Sequence, residues 1–245
     1  MKPVTTELPD IPEVGRSLFH VKQLPLVEKY AALLATDGVI RGLIGPREVP
    51  RLWDRHILNC VVMADLLVTD STLADIGSGA GLPGLVLAIA RTDVRVTLIE
   101  PLLRRTTFLS EVVAELALEN VEVVRGRADE LHGKRTFDAV TSRALAPLPR
   151  LLTWSMPLVA QEGKLLALKG SNVADELQEV RDVLQLGRCA EPVIHTLGGS
   201  DGLSTTHVLQ VAWAGPRSVD WPPTHRAAGS GARGRTSRQG SGRRR

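Results

Sequence analysis

Leu73-Ala74-Asp75-Ile76-Gly77-Ser78-Gly79-Ala80-Gly81-Leu82-Pro83-Gly84 decides the fold of this 245-residue chain. An apolar run meets glycines, and a second apolar run from Leu85 to Ala90 follows. That order reads as a strand, a tight turn and a helix. Glycines at such a turn let a ligand approach the backbone where a Cβ would obstruct it. Pro83 suits the first helical turn, because its missing N–H would have no intrahelical partner there.

Working outward, the same alternation continues. Strands are expected at Val94–Ile99, Val121–Val124, Phe137–Thr141 and Gly163–Leu168. Helices are expected at Leu102–Leu118, Leu148–Leu158 and Val173–Leu186. Such alternation predicts an α/β fold, a mostly parallel sheet with helices on both faces. The last two strands, Ala190–Leu197 and His207–Ala214, are separated by Gly198-Gly199-Ser200-Asp201-Gly202, too short for a crossover helix. They are expected to form a terminal antiparallel hairpin. This is the Rossmann-like class I methyltransferase arrangement. Upstream, Leu24, Val27, Tyr30, Ala31 and Leu34 recur at helical spacing, as do Leu52, His56, Ile57, Val61, Ala64 and Leu67. The expected organisation is an N-terminal helical segment over 1–68, a cofactor-binding core over 69–215, and a basic disordered tail over 216–245.

Composition narrows the class. The chain is 43% hydrophobic but only 3% aromatic, so its core must be aliphatic. No run approaches the roughly 18–20 apolar residues of a membrane span. Met1 to Phe19 carries Glu7, Asp10 and Glu13, without the apolar stretch of a signal peptide. Cys60 and Cys189 sit in no metal-ligand spacing and are expected as two buried thiols of a cytoplasmic protein. The net charge of +3 is more than supplied by the seven arginines between Arg226 and Arg245, a stretch with no acidic residue. Basic arms of this composition add salt-sensitive affinity for phosphate backbones.

Two cofactor classes compete for the glycine turn. Gly79, Gly81 and Gly84 spell a dinucleotide fingerprint, while Gly77, Gly79 and Gly81 suit S-adenosylmethionine. Asp75, just before the glycines, can face a methionine ammonium but would repel a pyrophosphate. Glu100, 23 residues after Gly77, can accept hydrogen bonds from ribose hydroxyls in either case. Ala128 and Asp129 follow the third strand, where residues line an adenine. The chain has no second domain to hold a hydride acceptor. S-adenosylmethionine is therefore the expected cofactor, and no metal is expected.

The acceptor side is read from the segment after the fourth strand. Thr141-Ser142-Arg143-Ala144-Leu145-Ala146-Pro147-Leu148 contains neither the cysteine of a pyrimidine carbon-5 enzyme nor the Asn/Asp-Pro-Pro segment of an adenine amine enzyme. A ring nitrogen such as guanine N7 needs no base, since its lone pair carries no proton. Arg143 is placed to orient the acceptor or the cofactor carboxylate. Lys169, ending the fifth strand, is a second cation at the same sheet edge. The four-residue spacing of Arg47, Arg51 and Arg55 predicts one helical face, an RNA-facing strip. His56 beside it is a candidate to touch substrate or organise the site.

Three segments together resemble a known family: Asp75 to Gly84, Thr141-Ser142-Arg143-Ala144, and Arg55-His56-Ile57-Leu58-Asn59. They are similar to the glucose-inhibited division protein B family, the small-subunit (16S) ribosomal RNA guanine-N7 methyltransferases. The likeness runs over roughly residues 15–215. It implies a guanosine in the small-subunit rRNA as substrate, free or within the small ribosomal subunit. It implies cofactor contacts at Gly77, Leu82, Ala128, Asp129 and Arg143, and low-level streptomycin resistance on loss of activity. Many relatives carry aspartate where Asn59 stands. Two other functions fit parts of the pattern: a small-molecule methyltransferase, and a non-enzymatic rRNA assembly factor with a vestigial cofactor pocket.

Overall fold

The computed structural model describes residues 7–200 and 202–222. Of the disordered tail expected over 216–245, residues 223–245 lie outside the described residues; residues 216–222 correct that expectation, because Trp221 is buried edge-on against Trp213 and Arg217 Nη2 donates to Pro157 O. Seven strands form one sheet: β1 (Thr72–Ile76), β2 (Arg95–Glu100), β3 (Val121–Arg125), β4 (Phe137–Arg143), β5 (Val159–Lys169), β6 (Val193–Leu197) and β7 (Thr206–Ala212). Their order is β3-β2-β1-β4-β5-β7-β6. The first five run parallel, while β7 is antiparallel to both β5 and β6. The terminal hairpin is thus present, with its second strand inserted between β5 and β6.

Helices cover both faces. On one lie α4 (Gly84–Ala90) and α5 (Leu103–Glu115); on the other lie α6 (Leu148–Ser155) and α7 (Val173–Leu186). In α7 the buried residues are Val173, Leu177, Val180 and Leu184, a stripe at helical spacing, and the rest is solvated. By contrast α4 reads Gly-Leu-Val-Leu-Ala-Ile-Ala and is buried from Gly84 through Ile89. A helix that is apolar all round must be covered on both sides. The sheet covers one side of α4. The N-terminal segment covers the other: α2 (Leu24–Leu33) and α3 (Leu58–Val61) pack on α4, and α1 (Glu13–Ser17) lies against α3 where Gly15 faces Leu58. Val27, Tyr30, Ile57 and Leu58 share one apolar cluster with Leu85, Leu87 and Leu98. Polar ties reinforce this contact: Gln23 Nε2 donates to the Ala90 carbonyl, and Arg91 Nη1 donates to the carbonyls of Ala64 and Leu67.

The helical pattern expected through Leu52–Leu67, and that of Arg47, Arg51 and Arg55 before it, breaks into short turns instead. Pro46–Arg51 is a 3₁₀ turn, Leu52–Ile57 a π-helical turn, Leu58–Val61 an α-turn and Ala64–Leu66 a 3₁₀ turn. Pro50 lacks the N–H that an α-helix would use there, and Leu58 N–H reaches back five residues to Trp53 O. With two periods other than 3.6, Arg47, Arg51 and Arg55 do not fall on one helical face, which corrects the expected arginine strip. β5 also begins earlier than its expected Gly163 start. Its first residues pair across a register break between Phe137 and Ala139. The expected pair of buried thiols is half right, because Cys60 is buried and Cys189 only half-buried. Among the described residues, no helix is long and apolar enough to cross a membrane. Nor are three or more His, Cys, Asp or Glu of that set grouped to hold a metal ion.

Candidate active site

The strand order reverses between β1 and β4, which are adjacent while their successors run to opposite edges. In open α/β sheets a crevice opens at this point, outside the carboxyl ends of the strands. The two sequence motifs meet there: β1 ends at Ile76 before the glycines, and β4 ends at Arg143.

The glycine turn is held by its own backbone and by buried polar groups. Gly77 N–H donates to Ile99 O at 2.8 Å, and Ser78 Oγ donates to Asp75 O at 2.8 Å. Tyr30, fully buried in α2, donates its hydroxyl to Ala80 O at 2.8 Å. Gly77 has φ +68°, a left-handed conformation that favours glycine. A Cβ there would also come within 2.4 Å of Leu145 Cδ1. At Gly84 a Cβ would lie 2.3 Å from Leu98 Cδ2 and 2.6 Å from Asp75 Oδ2, so α4 approaches the sheet only because this residue has none.

Two carboxylates anchor the turn from below. Glu100 Oε2 accepts from Gly79 N–H at 3.0 Å and Oε1 accepts from Leu102 N–H at 3.1 Å, with Arg105 Nη1 at 3.4 Å from Oε2. Asp75 is fully buried; its Oδ2 accepts from Gly84 N–H at 3.0 Å. Its Oδ1 has no hydrogen-bond partner among the described residues. Burial pushes the Asp75 carboxyl up to about 7, against the Gly84 hydrogen bond, which lowers it.

Three adjoining cavities follow the crevice. One of about 270 Å³ is mostly apolar, with Ile76, Ile99, Leu102, Ala128, Asp129 and Trp154 on its walls. The next, about 500 Å³, lies over Gly77, Gly79 and Leu82 and reaches Arg105 and Arg143. The third, about 440 Å³, is bounded by Glu48, Arg55, His56, Asn59, Arg143 and Lys169. Leu145 lines all three.

Arg143 stands where the second and third cavities join. Its Nη2 lies 2.6 Å from His56 Nδ1 and 3.3 Å from Arg55 O; its Nη1 lies 3.4 Å from His56 O and 3.6 Å from Cys60 Sγ. The other ring nitrogen, His56 Nε2, is 2.9 Å from Glu48 Oε2. Arg55 pairs with the same Glu48 oxygen at 3.5 Å. Lys169 is largely buried and ion-paired with Glu176.

The structure therefore brings Gly77, Gly79, Leu82, Ala128, Asp129, Arg143, Arg55, His56 and Lys169 onto one run of cavities. Asp75 and Glu100 lie under the turn rather than on a wall of these cavities, each accepting from a backbone N–H, and Gly81 belongs to the turn itself, with φ +96°. Sequence reasoning missed Glu48, Arg105, Leu145 and Trp154. Leu145 carried a signal, its place two residues after Arg143, and so did Arg105, five residues after Glu100; Glu48 and Trp154 arrive from segments that the motifs do not include.

The chain is similar to known proteins over most of its length. The GidB family profile, described as rRNA small subunit methyltransferase G, matches residues 23–203. A ribosomal RNA small subunit methyltransferase G of Nocardioides sp. is 59% identical over 219 residues, 89% of this chain and 88% of that one. The protein of that name from Thermobifida fusca is 52% identical over 199 residues, 81% of this chain and 84% of its own. In fold, the chain is similar to M. jannaschii TYW2, solved in complex with AdoMet. The TM-score is 0.50 at 16% identity, over 66% of this chain and 76% of that one. The match across most of the chain means that it belongs to the rRNA small subunit methyltransferase G family.

Proposed function

We propose that the protein transfers the methyl group of S-adenosylmethionine to N7 of one guanosine in small-subunit (16S) ribosomal RNA. The supporting observation is the position of Arg143, shared by a glycine-floored cavity and a cation-lined one. The first two cavities fit the cofactor by their chemistry. The apolar walls around Ala128 and Trp154 suit a purine face, and Gly77 leaves the backbone bare where a Cβ would intrude. Asp75, wholly buried beneath, holds the turn through the Gly84 N–H. When bound, the cofactor supplies an electrophilic methyl on a sulfonium.

The chain's own part is positioning and electrostatics. Gly77, Gly79 and Leu82 form the floor, Ala128 and Asp129 bound the base, and Glu100 keeps the turn in shape. Arg143 orients the acceptor against the methyl, with Lys169 and Arg55 giving the third cavity its positive wall for guanine oxygens and phosphate. The titratable groups of that cavity are mutually engaged, Glu48 with His56 and Lys169 with Glu176. This suits an acceptor nitrogen that loses no proton. Action on ribosomal RNA implies a cytoplasmic protein. Arg143→Ala is expected to lower methylation of small subunits about 10²-fold with circular dichroism unchanged; normal turnover would remove Arg143 from the reaction.

A further inference from the structure

We infer that His56 is the positioning residue for Arg143, and that Glu48 fixes the one His56 tautomer able to do this. The inference rests on the proposed methyl transfer at Arg143. A guanidinium has only donors, so the 2.6 Å contact requires His56 Nδ1 to be an unprotonated acceptor. The ring proton must then sit on Nε2, where it is donated to Glu48 Oε2 at 2.9 Å. The π-helical turn Leu52–Ile57 carries this ring and also turns the Arg55 and His56 carbonyls toward the same guanidinium. The guanidinium is thus held from the N-terminal segment while its strand β4 brings it to the crevice.

Protonating His56 would replace the acceptor with a second donor and set two cations against each other. The groups facing the ring are Glu48 on the preceding 3₁₀ turn, Arg55 on its own turn and Arg143 on β4. The Cys60 thiol lies against Arg143 and is pushed up to about 11 by burial, so it stays neutral. Lys169, on the same cavity, is paired with Glu176. Burial lowers the His56 imidazole from its ordinary value, and the Glu48 hydrogen bond opposes this. Activity should therefore fall on the acid side as the ring gains its proton.

The test measures kcat and KM for S-adenosylmethionine on small subunits lacking the modification, between about pH 5 and 8. His56→Leu removes the acceptor and should lower kcat/KM about 10–100-fold with the fold retained by circular dichroism. His56→Asn keeps an acceptor oxygen near the Nδ1 position and cannot titrate; it should recover most of that loss and shed the His56 acid limb. Glu48→Gln should move that limb to lower pH, because the carboxylate that favours the imidazolium is gone. Any limb from Asp75 is common to all four proteins, so the difference between wild type and His56→Asn belongs to His56. Nitrogen-15 NMR of the wild-type imidazole should show the Nε2–H tautomer. Equal impairment of the Leu and Asn variants, an unchanged acid limb in His56→Asn, or an Nδ1–H tautomer would overturn the inference. Wild-type protein that binds the cofactor yet methylates no subunit would instead remove the underlying reaction, and the tautomer would still decide the His56–Arg143 contact.

Discussion

Asp75 buries a carboxyl with one oxygen on the Gly84 N–H and the other without a partner among the described residues. Its pKa is raised from 3.8 to about 7. The folded protein then keeps a proton that the unfolded chain has released. The stability tied to that proton is complete below about pH 4 and is lost as pH rises toward about 7. Asp75→Asn carries no charge to bury. Without cofactor it should be more stable than wild type at about pH 8, by about 1–3 kcal/mol, and no more stable at about pH 4. Thermal unfolding across that range checks this; equal stability at the alkaline end would show that the carboxyl is solvated. The motif made Asp75 visible as a site residue, but not its orientation. Whether a strand-end side chain points into the crevice or under the turn depends on the returning helix, and here Gly84 lets α4 close over it. Arg143 was legible from its place after the fourth strand. Its partners Glu48 and His56 were not legible as a set, because they lie 87 or more residues away along the chain.

Among the elements, α4 sets local preference against space. Helix propensity alone would favour alanine over glycine at Gly84 by about 1 kcal/mol. The added Cβ would meet Leu98 and Asp75 well inside contact distance. Gly84→Ala should therefore destabilise the protein, by about 1–3 kcal/mol, read as a lower urea midpoint. A midpoint at or above wild type would mean that the helix can shift outward. Regular elements were readable: α7 spans Val173–Leu186, as its apolar period predicts. The segment from Pro46 to Leu66 was not, because periodicity arguments assume 3.6 residues per turn and this stretch mixes three kinds of turn. Those irregular turns carry Glu48, Arg55 and His56, so the illegible part of the fold is also the acceptor side of the site.

At the level of the whole molecule, a parallel sheet closed by an antiparallel hairpin follows from alternation and from the short glycine link before β7. What alternation does not specify is which face the N-terminal helices take. The all-apolar sequence of α4 decides that, since the sheet can cover only one of its sides. Seven arginines lie beyond residue 225, a composition that adds salt-sensitive affinity for phosphate backbones. Removing residues 226–245 should weaken binding to small-subunit rRNA at low salt and flatten its salt dependence, leaving cofactor affinity unchanged; each phosphate that the tail no longer neutralises takes about 0.7–0.9 off the slope. An unaltered slope would exclude the tail from RNA binding. Methyl transfer to guanine N7 leaves a product that can be located on the substrate itself. Small subunits from a strain lacking this enzyme are incubated with the protein and methyl-labelled S-adenosylmethionine, and the label is mapped by cleavage specific for 7-methylguanosine. Label is expected at one guanosine of the small-subunit rRNA. Label at another atom or base, or none on subunits or free rRNA while the cofactor binds, would contradict N7 transfer.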